Sequence, residues 1–313
     1  MHPAFSVIFL TTLIGAGQGL FIALVLGQAY GALTGTPVDS GFLAAGGLLS
    51  LVLLGLGLFA SFFHLGHPER AWRAVARWRT SWLSREVIAL PAFMFAVFLY
   101  TLGAWLGWQA ETLAWLALVG LVLDFTLFIC TGMIYACLKF IQEWATPLTV
   151  VNFIVLGSAS GFTLAAAVAV WGAPALVEPY ATLALLLTFL GFLTRSASLA
   201  RNARLKPKST LQSAIGVRHP QITQRSMGFM GGSFNTREFF HGVSRLVMLQ
   251  IRVVFILGAF ILPLTFLALG LTTGGHGWLV AAILVQYAGL VAERWFFFAQ
   301  ANHPQNLYYQ TVG

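Results

Sequence analysis

Three observations predict an all-α integral membrane protein with eight transmembrane helices. The 313-residue chain is 58% hydrophobic and only 8% charged, where soluble domains carry about 25% charged residues. Its mean hydropathy is +0.84, and several apolar runs reach the roughly 20 residues that cross a bilayer as a helix. The connections between those runs alternate sharply between basic and charge-poor. So little polar sequence remains that no separate soluble domain fits, and 1–313 reads as a single polytopic membrane domain.

The spans fall at 5–30, 41–63, 87–107, 113–138, 149–171, 179–200, 247–272 and 277–299. Connections 31–40, 108–112, 172–178 and 273–276 contain no Lys or Arg, whereas 64–86, 139–148 and 201–246 carry basic residues. The excess of positive charge in cytoplasmic loops assigns these three connections to the cytoplasm. Both termini follow them there, because eight is an even number. In such a chain a net charge of +8 points to orientation and to contact with lipid or partner proteins. Nucleic acid is not expected, and no DNA-binding motif is present. Residues 1–4 lack Lys and Arg, and the first apolar run is too long for the core of a cleavable signal.

Span 1 places Gly15, Gly19, Ala23 and Gly27 four residues apart, a ridge of small residues that lets another helix approach closely. Span 5 repeats the pattern: VLGSASGFTLAA at 155–166 aligns with LIGAGQGLFIAL at 13–24, matching Gly157 to Gly15, Gly161 to Gly19 and Ala165 to Ala23. A pseudo-repeat of two four-helix halves accounts for this. Span 4 holds Asp124 near mid-membrane, where an acid must find a buried donor or stay protonated. It also holds Cys130 and Cys137, expected to be buried thiols packed as small apolar groups. With no Cys cluster, this chain is expected to hold no metal site. Span 7 begins with Arg245 and Arg252, and span 8 ends with Glu293 and Arg294. The arginines read as snorkelling anchors. Glu293 gains nothing from anionic lipid and is a candidate supporting residue.

The chain is organised around 59–86, FASFFHLGHPERAWRAVARWRTSWLSRE. His64 stands where one apolar run ends and Glu86 where the next begins. An imidazole and a carboxyl at one membrane boundary can handle the protons of quinone chemistry. The competing reading is a loop whose arginines fix topology and touch lipid phosphate. His67, Arg70 and Arg85 are candidate supporting residues beside the pair. The 201–246 connection mixes basic residues with Phe, Met and Gly and ends in GSFNTREFFHG. That is too apolar for a solvated linker and suggests an ordered segment docked on another protein. Arg73, Arg77, Phe234, Arg237, Phe239 and Phe240 are the candidate docking residues. Bis-histidine haem needs two His facing each other within the bilayer. His64, His67 and His241 lie at one boundary and His276 at the other, so no haem is expected.

The opening HPAFSVIFLTTLIGAGQGLF, the stretch FFHLGHPERAW and the following SWLSRE resemble the dimethyl sulfoxide reductase membrane-anchor family. The resemblance covers nearly the whole chain and is sharpest at 2–21 and 62–86. It implies a third subunit in the bacterial inner membrane, holding an iron–sulfur subunit and a molybdopterin catalytic subunit and exchanging electrons with ubiquinone or menaquinone. It assigns His64 and Glu86 to the quinone site. The long connection, with GFMGGSFNTREFFHG, looks most like the anchors of cytoplasmic sulfite dehydrogenases, in which sulfite gives electrons and quinone takes them. The alternatives are an anchor that oxidises quinol for a reductase, a purely structural anchor, and a transporter suggested by Asp124 and the two-half pattern. Facing broken helices would mark a transporter, but only Pro263 reads as well inside a span, with Pro91 near an end.

Overall fold

The computed structural model describes residues 1–225 and 234–309. Among the described residues, eight helices are long and apolar enough to cross a membrane: α1 (Phe5–Thr34), α2 (Ser40–Ser61), α3 (Trp82–Trp105), α4 (Ala110–Ala136), α5 (Pro147–Gly172), α6 (Val177–Asn202), α7 (Arg245–Thr273) and α8 (His276–Ala299). The protein is all-α, as the composition predicts. The largest boundary difference is at α3, which begins five residues before the expected start. Ser81 caps it, accepting from the Ser84 backbone N–H at 3.4 Å, so the polar Ser-Arg-Glu stretch is helical. Glu86 therefore lies within α3, and Pro91 sits in the helix interior rather than near an end.

Each half of the chain pairs its helices in the same way. α1 packs on α2 as α5 packs on α6, α2 on α3 as α6 on α7, and α3 on α4 as α7 on α8. The halves meet where α1 crosses α5. The small residues noted in the sequence form that contact. A Cβ on Gly15 would lie 3.4 Å from Gly157 Cα, and one on Gly19 only 2.8 Å from Ser158 Cα. A Cβ on Gly161 would overlap the backbone of Gly19 and Leu20. Dispersion between closely approaching backbones holds such helices together in lipid, where the hydrophobic effect gives no preference for protein over acyl chain. A second close approach joins α7 to α8: α7 widens into a π-turn at Leu257–Ile261, and a Cβ on Gly289 would lie 2.7 Å from Ala259 Cα. Pro263 cannot donate a backbone hydrogen bond in the following turn, which explains why the ladder changes step there.

The N-terminus meets the end of α8 at one end of the bundle. The Met1 amine donates to Ala301 O at 2.8 Å and to Ala299 O at 3.3 Å. Burial pushes this amine down to about 6, opposed by the Glu143 carboxylate. The same end carries the connection after α2 and the long connection before α7. Described parts of the long connection pack on the chain's own ends: Glu238 O accepts from His2 N–H at 2.9 Å, Phe239 stacks on His303 with centroids 3.9 Å apart, and Phe239 O accepts from Asn306 at 3.0 Å. Cys130 is buried, but Cys137 is exposed at the end of α4, against the expectation of two buried thiols.

The α1–α5 seam makes a direct expectation. Gly161→Ala should lower the stability of the detergent-solubilised protein by about 1–3 kcal/mol through overpacking. Gly55→Ala in α2, where a Cβ meets nothing within 4 Å, should leave stability unchanged or raise it by up to about 1 kcal/mol. Thermal unfolding of the two variants side by side checks this.

Candidate functional site

Glu86 faces into the bundle from the second turn of α3, half-buried. The Thr131 hydroxyl on α4 donates to Glu86 Oε1. Both residues line a narrow cavity of about 30 Å³, bounded also by Thr11, Thr12 and Gln18 of α1, Asn152 and Ser160 of α5, and Leu290 and Arg294 of α8. That volume has room for about two waters. Polar groups and leucines share its wall. Gln18 carries the polar surface inward, its side-chain amide donating to Asp124 Oδ1 at 2.8 Å and to Asp124 O at 2.9 Å. Asp124 is fully buried, and Gln18 is the donor that the mid-membrane acid required.

Behind the cavity lies a charged cluster that links α6 to α8. Glu293 is 0% exposed, with Arg195 Nε 2.6 Å from Oε1 and Arg294 Nε 2.5 Å from Oε2. Arg294 also lies over the rings of Phe153 and Phe297, at 4.4 and 4.9 Å from their centroids. Two guanidiniums and π-faces compensate for a carboxylate that would otherwise be far too costly in a low-dielectric interior. This corrects the snorkelling assignment for Arg294, which is 5% exposed. Arg245 and Arg252 are exposed, as snorkelling anchors are. Arg195 was missed: it lies within an apolar span, with no nearby acid in sequence to mark it. An unexplained cation inside span 6 was the available signal.

The remaining candidates are dispersed. His64 is exposed at the end of a 3-10 turn, Phe62–His64. It is not part of the cavity wall, and no hydrogen bond joins it to Glu86 among the described residues. His67 Nδ1 lies 3.0 Å from Glu69 Oε1, and Arg70 Nε 3.5 Å from the same oxygen, all three exposed. Arg85 stacks on Trp82 at 4.2 Å and donates to Trp78 O at 2.9 Å and Arg79 O at 2.8 Å. It ties down the end of the basic connection rather than entering the cavity. Arg73 and Arg77 are exposed beside Trp72 and Trp78, themselves 71% and 52% exposed. Arg237 is exposed, Phe240 is half-buried, and the side chain of Phe234 lies outside the described residues.

An all-helical bundle of this kind, with its N-terminus held at the end of α8, a basic aromatic connection at the same end and a carboxyl-lined cavity close by, defines a polytopic membrane protein. The family model described as DMSO reductase anchor subunit (DmsC) matches residues 1–299, and the chain belongs to that family. It is a membrane-anchor subunit of an oxidoreductase complex. A sulfite dehydrogenase subunit from Allochromatium vinosum is 52% identical to it over 324 aligned positions, with 100% of both chains covered.

The buried cluster carries its own test. Glu293→Gln leaves two buried guanidiniums without a carboxylate and should cost about 3–5 kcal/mol. Glu69→Gln removes an exposed pairing and should cost about 0–1 kcal/mol. Comparing thermal unfolding of the two variants in detergent distinguishes a structural cluster from a dispensable one.

Proposed function

We propose that the chain is the quinone-reactive anchor of a sulfite-oxidising complex, passing electrons from a docked iron–sulfur subunit to quinone in the membrane. The observation that carries this reading is the place of Glu86: a carboxyl inside the bundle, held by Thr131, on a cavity near the end where the basic connections lie. The full-length similarity to a sulfite dehydrogenase subunit supports sulfite as the electron source. The basic connections favour the cytoplasm of a bacterial cell, with both termini there, and the inner membrane as the location.

Quinone, when bound, takes up two electrons and two protons to become quinol. The residues present suit that chemistry. Glu86 can give up a proton and regain one, while Thr131 fixes the carboxyl. Thr11, Thr12 and Gln18 offer further hydrogen-bonding groups along the wall. His64, exposed at the same end, is placed to exchange protons with the aqueous phase. The exposed Trp72, Arg73, Arg77 and Trp78 form the docking surface we assign to the iron–sulfur subunit, with the molybdopterin subunit beyond it; Arg237 adds charge at that end. Phe239 is committed to His303 and the C-terminal segment, so Phe239 and Phe240 act in docking by shaping that surface.

Glu86→Gln keeps the size of the side chain and removes the acid. It should lower sulfite-to-quinone turnover by about a hundredfold or more while molybdenum still copurifies with the membrane. Normal turnover would refute the role of Glu86. His64→Ala should also weaken binding of a quinone analogue.

Protons for quinol come from the same side in this scheme. Past Asp124, Phe21 packs edge-on against Phe93 and Tyr100 with centroids 5.5 Å apart, all three fully buried. Turnover should therefore move no charge across the membrane. Proteoliposomes supplied with sulfite and quinone should give no signal from a voltage-sensitive dye. A potential that builds during turnover and vanishes in Asp124→Asn would overturn the scheme.

A further inference from the structure

We propose that Arg294 donates to one ring oxygen of the quinone and that Asn152 accepts from the same oxygen once it is hydroxylated in the quinol, forming a second polar contact in the same cavity as Glu86. This inference rests on the quinone reading above. Both residues line that cavity, and both are nine-tenths or more buried, at 5% and 4% exposure. Each has one side-chain atom committed and another without a partner. Arg294 Nε is held by Glu293 at 2.5 Å, but its Nη1 has no hydrogen-bond acceptor. Asn152 Nδ2 donates to Ser198 Oγ at 2.8 Å, but its Oδ1 has no donor. Buried polar groups are rarely left in this condition.

The fixed partners also define what is missing. A guanidinium is planar, so the carboxylate on Nε fixes the direction of the free Nη1 hydrogens. The amide is pinned likewise through Ser198. A donor and an acceptor on two residues that line one small cavity suit an oxygen that can accept a hydrogen bond and, when hydroxylated, donate one. The ring carbonyl of quinone can only accept, from Arg294. The ring hydroxyl of quinol can accept from Arg294 and donate to Asn152. The site should therefore hold the reduced ring more firmly, with Asn152 contributing chiefly to that form. The cavity already has the size of the oxygen end of such a ligand. Rotation of Leu10, Leu156 and Leu290, which also line it, would admit the ring.

The test uses the whole complex in membranes, with short-chain ubiquinone as acceptor and its quinol as product inhibitor. A water-soluble acceptor that draws electrons from the soluble subunits serves as the control reaction. Arg294→Lys keeps the charge that faces Glu293 and removes the planar fork that carries Nη1. It should raise KM for the quinone about tenfold, with turnover on the soluble acceptor unchanged. Arg195→Lys perturbs the same charged cluster from a residue outside the cavity wall and should not change that KM. Asn152→Ala should weaken quinol inhibition about tenfold while altering quinone KM less than twofold. Molybdenum content and thermal unfolding identify the variants that assemble. An unchanged KM in Arg294→Lys, or an equal rise in Arg195→Lys, would overturn the proposal. If Glu86→Gln abolishes quinone turnover while Arg294→Lys behaves as wild type, this inference alone fails; if both behave as wild type, the quinone reading fails with it.

Discussion

A carboxylate within a membrane bundle has no solvent to fall back on, and the fate of Glu293 shows how this protein meets that constraint. Two guanidiniums from different helices reach it at 2.5 and 2.6 Å, and aromatic faces cover the outer one. Neither arginine would be tolerable there without the acid, nor the acid without them. The cluster therefore fixes α6 against α8 and gives Arg294 a single orientation. Trp144 strengthens the same region, packing flat on Phe297 and donating to its carbonyl at 3.0 Å. The cavity beside Glu86 thus has Arg294 held rigidly in its wall, while Leu10, Leu156 and Leu290 form its softer surface.

The spans, the alternation of charge and the family were legible in the sequence because each depends on local composition. A run of apolar residues is long enough to cross or it is not, and a small residue every fourth position forms a ridge wherever the helix lies. Glu86 and Asp124 were legible as candidates because an acid at or inside a span is costly on its own. Their partners were not. Gln18 meets Asp124 across 106 residues, and Arg195 meets Glu293 from another helix. Such pairings come from the arrangement of helices, which periodicity does not encode. The start of α3 was misplaced for a related reason: Ser, Arg and Glu look like a loop by polarity, yet a Ser cap and a protein-facing carboxyl let them continue a helix.

Beyond the Gln18–Asp124 pair come Phe21, Phe93 and Tyr100, whose hydroxyl is satisfied by Gln28 at 2.8 Å. The two acids differ in their surroundings. Glu86 has a cavity and a hydroxyl neighbour. Asp124 has one amide donor and a closely packed aromatic barrier, an environment suited to joining α1 to α4.

The close contact between α1 and α5 has a consequence for how the protein is made. α1 enters the membrane first, yet the helix that fits its glycine face is the fifth to emerge. At roughly 5–20 residues per second of synthesis, that face waits on the order of ten seconds before its partner exists. Until then Gln18 and the bare backbone of Gly15 and Gly19 must be covered by lipid, by neighbouring helices of the nascent chain or by the insertion machinery. The first half of the molecule is thus inserted before it can be finished.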